Sequence, residues 1–262
     1  MKMKSVLTVA GSDSSGGAGI QADIKTISAH RLYATSVITA VTAQNTFGVQ
    51  SVYPLPPEVV AAQFDSVCSD IHPDAVKIGM LATAQIAETV ARKLEQYNVR
   101  HVVLDPVLVS TSGRLLLDKD AVRILTDRLF PLAELITPNL DEAAVLRDAL
   151  VRAECAVLVK GGHDPDSAND VLYESGRLMA DCSASSSGIH TYPGVRIANP
   201  NTHGTGCTLS SAAACRLAQG HTLKKSVLLA KQYVTGAIAA GLSVGHGRGP
   251  LDQFWEAAGG VP

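Results

Sequence analysis

This sequence has few aromatic side chains, few charged residues and a small net charge. Of its 262 residues only 4% are Phe, Trp or Tyr, 18% are charged, and the formal net charge is -2. This balance excludes the broad basic surface that nucleic-acid-binding proteins use. The apolar residues, 46% of the chain, are rich in Ala, Val and Leu. That composition is typical of a parallel sheet covered by helices.

Long apolar runs and paired cysteines are also missing. No run approaches the ~18 to 20 residues of a membrane span, and the N-terminus shows no apolar signal segment. The cysteines are odd in number and form no Cys-x-x-Cys pair, so neither a disulfide framework nor a zinc site is expected. They are Cys68, Cys155, Cys182, Cys207 and Cys215. We therefore expect a cytoplasmic protein.

Two familiar nucleotide-binding motifs are absent. The glycines at 16–19 do not fit Gly-x-Gly-x-x-Gly, and the chain has no Gly-Lys-Ser/Thr. Neither a dinucleotide-binding fingerprint nor a P-loop is therefore indicated.

Apolar segments of strand and helix length alternate along the chain. They predict strands at 5–10, 36–42, 75–81, 101–107, 135–138, 155–160 and 170–174. They predict helices at 20–29, 57–70, 84–97, 118–129, 141–153, 207–218 and 224–242. This alternation indicates an α/β protein, a mostly parallel sheet with helices on both faces in one domain over 1–262. The Ser-rich stretch at 183–194 has turn or disorder composition and is interpreted as a surface insertion.

The unusual residues fall in loops that follow predicted strands. In a parallel sheet such loops share one edge and carry function. The loops are 11–19, 79–80, 105–106, 138–139 and 161–162.

Residues 204–207, Gly-Thr-Gly-Cys, come directly before a predicted helix. Two glycines and a helix N-terminus together direct backbone N–H groups at one point and form an anion site. We expect Gly204, Thr205 and Gly206 to hold a phosphoryl group, and Cys207 to face its acceptor with a stabilised thiolate. Considered without the rest of the chain, the segment could equally be a flexible turn, with Cys207 as a small packing residue.

Two polar residues could recognise a small organic acceptor. The Gln44 amide offers a donor and an acceptor together, which matches the edge of an aminopyrimidine; an ordinary loop amide is the alternative. Asp23, early in a helix, could accept a hydrogen bond from a substrate hydroxyl or amine. It could also only compensate the helix dipole.

Residues with oxygen ligands follow strand ends that should lie near the anion site at 204–207. Asp105, Asn139 and Glu142 suit Mg²⁺, which prefers oxygen ligands and keeps several waters. Asn139 and Glu142 could also be an N-cap and its capping-box partner. Lys160 could neutralise phosphate charge. Lys231 lies on an apolar helix face, where it must find a partner or extend to solvent.

The chain resembles the hydroxymethylpyrimidine/phosphomethylpyrimidine kinases of thiamine biosynthesis, in the ribokinase-like superfamily. The matching segments are 11–23, 42–46, 76–81, 105–113, 137–142, 159–163 and 202–210. The resemblance implies a three-layer α/β/α fold, commonly a homodimer. It implies transfer of phosphate from ATP, with Mg²⁺, to 4-amino-5-hydroxymethyl-2-methylpyrimidine and then to its monophosphate.

The resemblance also implies roles for individual residues. Gly11, Asp23, Gln44, Met80 and Val107 would form the pyrimidine pocket. On the nucleotide side, Lys160, Thr202 and Lys231 would contact ATP phosphates, and Asp105 and Glu142 (through water), with Asn139, would serve the metal. Cys207 stands where related sugar kinases carry an Asp base.

The chain departs from the family pattern in two places. It is about one helix shorter between 142 and 160, and longer between 170 and 202. Two other functions stay open: a pyridoxal or pyridoxine kinase of the same fold, and a non-catalytic pyrimidine sensor.

Overall fold

The computed structural model describes residues 3–108, 119–163, 167–180 and 187–257. These residues form a nine-stranded sheet in the order β3-β2-β1-β4-β5-β6-β7-β8-β9. The strands are β1 (Ser5–Asp13), β2 (Tyr33–Asn45), β3 (Gly48–Pro54), β4 (Ala75–Ile78), β5 (Val102–Leu104), β6 (Leu135–Ile136), β7 (Ala156–Val159), β8 (Asp170–Tyr173) and β9 (Ile189–Tyr192). The pairings among β1, β2, β4, β5, β6 and β7 are parallel, whereas β2–β3, β7–β8 and β8–β9 are antiparallel.

Eight α-helices accompany the sheet in the described residues. They are α1 (Gly19–Ala29), α2 (Pro57–Cys68), α3 (Ala84–Tyr97), α4 (Lys119–Ile124), α5 (Leu140–Val145), α6 (Arg147–Leu150), α7 (Thr205–Ala218) and α8 (Leu223–Ala240). Local sequence fixes several ends. The Thr83 side chain accepts the N–H of Ile86 to start α3, and Asn98 ends that helix in the left-handed conformation.

Alternating strand residues feed two separate cores, one on each face of the sheet. In β4, for example, Val76 and Ile78 face a core shared with α2 and α3. Ala75 faces the other core, which is built with α7 and α8. The predicted helix–sheet–helix layering is therefore confirmed.

Several predicted elements need correction. The predicted helix at 141–153 is two short helices that separate at Leu146. The predicted helix at 118–129 passes from α4 into a π-helical turn at Leu125–Leu129. Strand β3 was not predicted: none of its residues is buried, so its sequence carries little of the apolar pattern that marks a strand.

The Ser-rich insertion is also partly corrected. Within 183–194, residues Ile189–Tyr192 form the edge strand β9 rather than turn or disorder, and they pair with β8. Antiparallel pairing supplies the backbone partners that the local composition did not suggest. Residues 183–186 of the insertion lie outside the described part.

The parallel topology places the predicted loops at one edge, because the carboxyl ends of β1, β4, β5, β6 and β7 point the same way. Gly11 still belongs to β1, which runs on to Asp13 through a register irregularity. In the described residues no helix is long and apolar enough to cross a membrane. The four cysteines among them are free.

Candidate functional site

The turn before α7 has the geometry that an anion site needs. Gly204 caps the helix with φ of 86°, and a Cβ there would collide with the Gly17 carbonyl. Only glycine meets both demands. The Thr205 N–H and hydroxyl turn back to the Thr202 carbonyl, at 3.3 and 2.7 Å. The amides of Gly206 and Cys207 follow in the first turn, where a helix leaves N–H groups without internal partners. Thr202 itself is exposed.

Cys207 differs from the prediction in its protonation. Burial raises the pKa of the thiol to about 11, against the lowering effect of Lys77, and Asp23 and Asp105 add to the rise. The Gly19 backbone N–H lowers it only in part. The expectation of a stabilised thiolate is therefore wrong for this structure. At neutral pH Cys207 is a thiol.

Asp105 and Lys160 lie against this helix N-terminus. The Lys160 ammonium donates to Oδ1 of Asp105 at 2.7 Å, and the Thr137 hydroxyl donates to the same oxygen at 3.1 Å. An ideal Cβ on Gly206 would lie 3.2 Å from Oδ2 of Asp105 and 3.3 Å from Nζ of Lys160. The end of β5, the end of β7 and the start of α7 therefore meet at Gly206.

Glu142 and Asn139 form a full capping box. The Glu142 N–H donates to Oδ1 of Asn139 at 2.8 Å, and the Asn139 N–H donates to Oε2 of Glu142 at 2.9 Å. Glu142 is only 6% exposed. Burial raises its pKa to about 7; Lys160 opposes the rise and the negative charge of Asp105 adds to it. The capping interpretation of both residues is confirmed, and their metal role stays a prediction.

The donor set suits a magnesium ion that keeps part of its hydration shell. Among the described residues no group of three or more His, Cys, Asp or Glu side chains could hold a metal ion. Mg²⁺ in phosphoryl-transfer sites commonly takes one or two carboxylates and fills its shell with water and substrate phosphates. Asp105 and Glu142 supply two. Burial is the main reason that the pKa of Glu142 is raised, and the charge of Asp105 adds to it; a nearby cation would offset both effects.

A buried ion pair lies beneath the site, and its lysine was not among the sequence-predicted residues. Lys77 and Asp23 are both 0% exposed, and Nζ of Lys77 is 2.9 Å from each oxygen of Asp23. Thr8 and Ser211 also donate to Asp23, at 2.6 and 2.8 Å. Burial lowers the pKa of Lys77, but the carboxylate of Asp23, with Cys207 and Asp105, raises it above its ordinary value.

This placement changes the interpretation of Asp23. Its carboxylate is fully buried and faces Lys77 and two hydroxyls. The role of Asp23 in the pyrimidine pocket stays a prediction. Lys77 is flanked along β4 by apolar residues only. A charged residue in such a run could have been noticed as needing a buried partner.

Asp13 organises the glycine-rich loop, and it was also not predicted. Its carboxylate accepts the Ser15 N–H and hydroxyl at 2.8 and 2.7 Å. It also accepts the backbone N–H groups of Gly17 and Ala18, at 3.1 and 2.8 Å, and contacts Nε2 of His203 at 2.9 Å. Burial opposes ionisation, but these donors, His203 foremost, lower the pKa of Asp13 to about 2. A carboxylate in a Ser/Gly-rich loop is the signal that could have found it.

Apart from Asp23, the predicted acceptor-side residues lie in β1 and β2 and directly after β4 and β5. Gln44, Met80 and Val107 are half-buried. A Cβ on Gly11 would collide with the Met80 methyl, so Gly11 leaves room for that side chain. The Val107 N–H donates to the Asp105 carbonyl at 2.9 Å, which ties this end of the pocket to the charged cluster.

Lys231 has a partner and does not extend freely to solvent. Its ammonium is 2.8 Å from Oδ2 of Asp170 and donates to the Ala168 carbonyl at 2.6 Å. Oδ1 of Asp170 accepts the Gly161 N–H at 2.9 Å, beside Lys160. A cavity of about 320 Å³ opens next to Lys231, between α8 and the segment after β9; its lining includes Tyr192, Pro193, Val195 and Leu228.

Comparisons with known proteins agree with this arrangement. The family model described as phosphomethylpyrimidine kinase matches residues 13–252. The hydroxymethylpyrimidine/phosphomethylpyrimidine kinase of Escherichia coli is 46% identical over 273 residues, which cover 97% of this chain and 98% of that protein. The chain spans about half the length of two bifunctional thiamine-biosynthesis relatives, from Geobacter sulfurreducens and Arabidopsis thaliana.

Solved structures give the same result for the fold. The crystal structure of phosphomethylpyrimidine kinase from Clostridium difficile is 40% identical, with a TM-score of 0.73 over 90% of this chain and 99% of that one. The pyridoxal kinase of Staphylococcus aureus in complex with ADP is 31% identical, with a TM-score of 0.83 over 97% and 94%. The ribokinase-like fold is thereby confirmed, and the chain belongs to the phosphomethylpyrimidine kinase family.

Proposed function

We propose that this protein transfers the γ-phosphoryl group of ATP to the hydroxymethyl oxygen of 4-amino-5-hydroxymethyl-2-methylpyrimidine, and then phosphorylates the monophosphate. The observation that carries the proposal is the meeting of Asp105, Lys160 and the α7 N-terminus at Gly206. Phosphoryl transfer depends on positioning and charge neutralisation, and these groups offer both.

The backbone N–H groups of Gly206 and Cys207 would bind the moving phosphoryl group, with Gly204 fixing the turn. Lys160 would neutralise phosphate charge. When bound, Mg²⁺ would supply further positive charge to the phosphate oxygens, held by Asp105 directly and by Glu142 through water, with Asn139 as a further ligand.

The nucleotide would lie along the Lys231 side of the site. Lys231 is fixed by Asp170, which also holds the Gly161 amide next to Lys160, so the two lysines belong to one rigid network. The adjoining cavity of about 320 Å³ has an apolar wall suited to a nucleotide base. Thr202, which is exposed and lies just before the Gly204–Cys207 turn, would contact a phosphate group of the nucleotide.

The pyrimidine would occupy the space bounded by Gln44, Met80, Gly11 and Val107, with its hydroxymethyl group towards Cys207. Because burial holds the pKa of that thiol near 11, Cys207 would act by positioning the acceptor hydroxyl more than as a strong resting base. A loose transition state places little demand on early deprotonation.

One assay tests the whole proposal. Purified protein is incubated with ATP, Mg²⁺ and hydroxymethylpyrimidine, and mono- and diphosphate are separated by chromatography. We expect both products in sequence. Tight pyrimidine binding without ATP turnover would instead identify a sensor.

Replacement of Cys207 tests the acceptor site. We expect Cys207→Ala to cut kcat by about 100-fold or more, the scale of a lost positioned catalytic group, while the unfolding temperature is kept. Cys155→Ala is the matched control, since Cys155 precedes β7 at the opposite edge of the sheet. Near-normal turnover in Cys207→Ala would make the thiol a packing residue.

Pyridoxal kinase is the second candidate, because structures of such enzymes with ADP and with pyridoxal superpose on 97 to 98% of this chain. The two activities are separated by comparing kcat/KM for hydroxymethylpyrimidine and pyridoxal. We expect the pyrimidine to be preferred, and a clear preference for pyridoxal would overturn the assignment.

We also propose a cytoplasmic homodimer with one catalytic domain per chain. Exposed apolar side chains on β2 and β3, including Tyr33, Val41 and Tyr53, support an association surface. Light scattering during size-exclusion chromatography would give the mass; a monomer at micromolar concentration would contradict the dimer.

A further inference from the structure

The side-chain amide of Gln44 lies between Thr42 and His203. These two partners determine which of them the amide oxygen faces and which the amide nitrogen faces. As placed, Nε2 of Gln44 is 3.1 Å from Nε2 of His203, and Oε1 is 3.1 Å from the Thr42 hydroxyl. The two ends of a side-chain amide are nearly the same shape, so only the hydrogen-bond network distinguishes them.

Nε2 of His203 offers no acceptor to Gln44. The same Nε2 atom lies 2.9 Å from Oδ2 of Asp13, which is ionised because its pKa is lowered to about 2. A carboxylate only accepts hydrogen bonds, so Nε2 of His203 must carry a hydrogen. A protonated Nε2 has one hydrogen, which points to Asp13, and no free lone pair. An N–H of Gln44 would therefore meet another N–H, whereas a carbonyl oxygen could share that hydrogen with Asp13 in a three-centre bond.

Thr42 presents an acceptor to the other end of the amide. Its hydroxyl lies 2.9 Å from the Ser12 carbonyl, which can only accept. The single hydroxyl hydrogen is therefore used there, and a lone pair faces Gln44. The Thr42 hydroxyl, like the His203 ring, thus requires the amide oxygen on the His203 side and the amide nitrogen on the Thr42 side.

The surroundings leave little freedom for a different arrangement. His203 is 9% exposed, Thr42 is 6% exposed and Asp13 is 3% exposed. A Cβ on Gly17 would collide with Cδ2 of the imidazole, so the glycine-rich loop packs directly on the ring. The His203 ring is held by that loop as well as by Asp13.

We propose that His203 and Thr42 are positioning residues that lock the Gln44 amide in one orientation and thereby set acceptor specificity. Oε1 of Gln44 faces His203, and Nε2 faces Thr42. One oxygen lone pair and one N–H remain for a ligand. This inference rests on the proposed function, in which Gln44 reads the pyrimidine.

The lock selects one hydrogen-bond pattern on the acceptor ring. An aminopyrimidine presents an amino donor beside a ring-nitrogen acceptor, and the corresponding oxo analogue presents an acceptor beside an N–H donor. A free amide could turn over to suit either ring, but a locked amide suits only one of them. The hydroxymethyl group must still reach Cys207, so the ring cannot turn over instead.

The first test compares the amino substrate with its 4-oxo analogue. We expect Thr42→Val to reduce the ratio of kcat/KM for the amino substrate to kcat/KM for the oxo analogue by about tenfold. That is the scale of one lost hydrogen bond to a positioned group. The change should appear in KM for the pyrimidine, with KM for ATP unchanged. Thr42→Ser keeps the hydroxyl and should restore the wild-type ratio. An unchanged ratio in a folded Thr42→Val protein would overturn the proposal.

The second test is made on the folded wild-type protein and does not depend on catalytic turnover. In the ¹⁵N-labelled wild-type protein, the Gln44 amide signal is assigned by its disappearance in Gln44→Ala. We expect its hydrogens to show nuclear Overhauser contacts to the Thr42 methyl group, and the His203 Nε2 shift to be that of a protonated nitrogen. Contacts to the His203 ring in place of Thr42, or an unprotonated Nε2, would refute the lock.

The two tests separate the two proposals. If the wild-type protein phosphorylates the aminopyrimidine but the amide faces the other way, the lock is wrong and the proposed function stands. If the amide is locked as described but no pyrimidine is phosphorylated, the orientation stands and the proposed function, with the specificity that depends on it, fails.

Discussion

The buried pair of Lys77 and Asp23 gives the sharpest prediction for stability. In Lys77→Met a side chain of similar length and shape replaces the ammonium, so packing changes little and the main loss is the positive charge. The carboxylate of Asp23 then stays at 0% exposure without its counter-ion. We expect the free energy of unfolding to fall by about 3 to 5 kcal/mol, the cost of breaking a buried ion pair from one side.

The size of this effect follows from the contacts. Lys77 is bonded to both oxygens of Asp23, while Thr8 and Ser211 contribute one hydrogen bond each. Two neutral hydroxyls remain in the variant, and they do not neutralise the charge. In a domain of this size the loss corresponds to a fall in unfolding temperature of roughly 6 to 20 °C.

Urea unfolding followed by circular dichroism measures the loss. The matched control is Lys4→Met, because Lys4 pairs with Asp74 at 2.8 Å on the surface, where 55% of the lysine side chain is exposed. Such pairs contribute less than about 1 kcal/mol. Adding Asp23→Asn to Lys77→Met should recover part of the loss, since a neutral amide replaces the unpaired charge. Equal destabilisation by Lys77→Met and Lys4→Met would refute the reasoning.

Three further predictions concern the site. The pKa of Cys207 is raised to about 11, so its thiolate fraction grows with pH throughout the neutral and mildly alkaline range. Alkylation of Cys207 by iodoacetamide should therefore be slow at pH 7 and accelerate about tenfold per pH unit up to pH 10. A fast, pH-independent rate would contradict this. Gln44→Ala should raise KM for the pyrimidine about tenfold more than KM for ATP, and equal losses would indicate a collapsed pocket. Gly204→Ala should lower stability and activity far more than Gly220→Ala. Both glycines have positive φ, but a Cβ collides with the Gly17 carbonyl at the first and meets nothing within 4 Å at the second; similar losses would remove the close-packing argument.

The order of elements along the chain was predictable because it depends on local pattern. Apolar runs of strand length alternate with helical periodicity, and parallel pairing then brings the strand ends to one edge. That reasoning located Asp105, Lys160 and the Gly204–Cys207 turn together without any coordinates. The capping box of Asn139 and Glu142 was equally visible, because a capping box spans only four residues.

The edge strands were harder to predict. β3 and β9 are stabilised by antiparallel neighbours and not by their own composition, and Ile189–Tyr192 follows a Ser-rich segment that locally favours turns. Strand preference at a sheet edge depends on pairing and burial more than on intrinsic propensity.

Three features follow from the amino-acid sequence because each is encoded in contiguous residues: the alternation of strands and helices, the glycine turn before α7 and the family of the chain. Tertiary structure alone decided which charges meet: Lys77 with Asp23, 54 residues apart, Lys231 with Asp170, and His203 with Asp13, 190 residues apart. It also decided that Cys207 is a thiol, because burial, which a local helix-terminus argument does not include, outweighs the amides and cations around the sulfur.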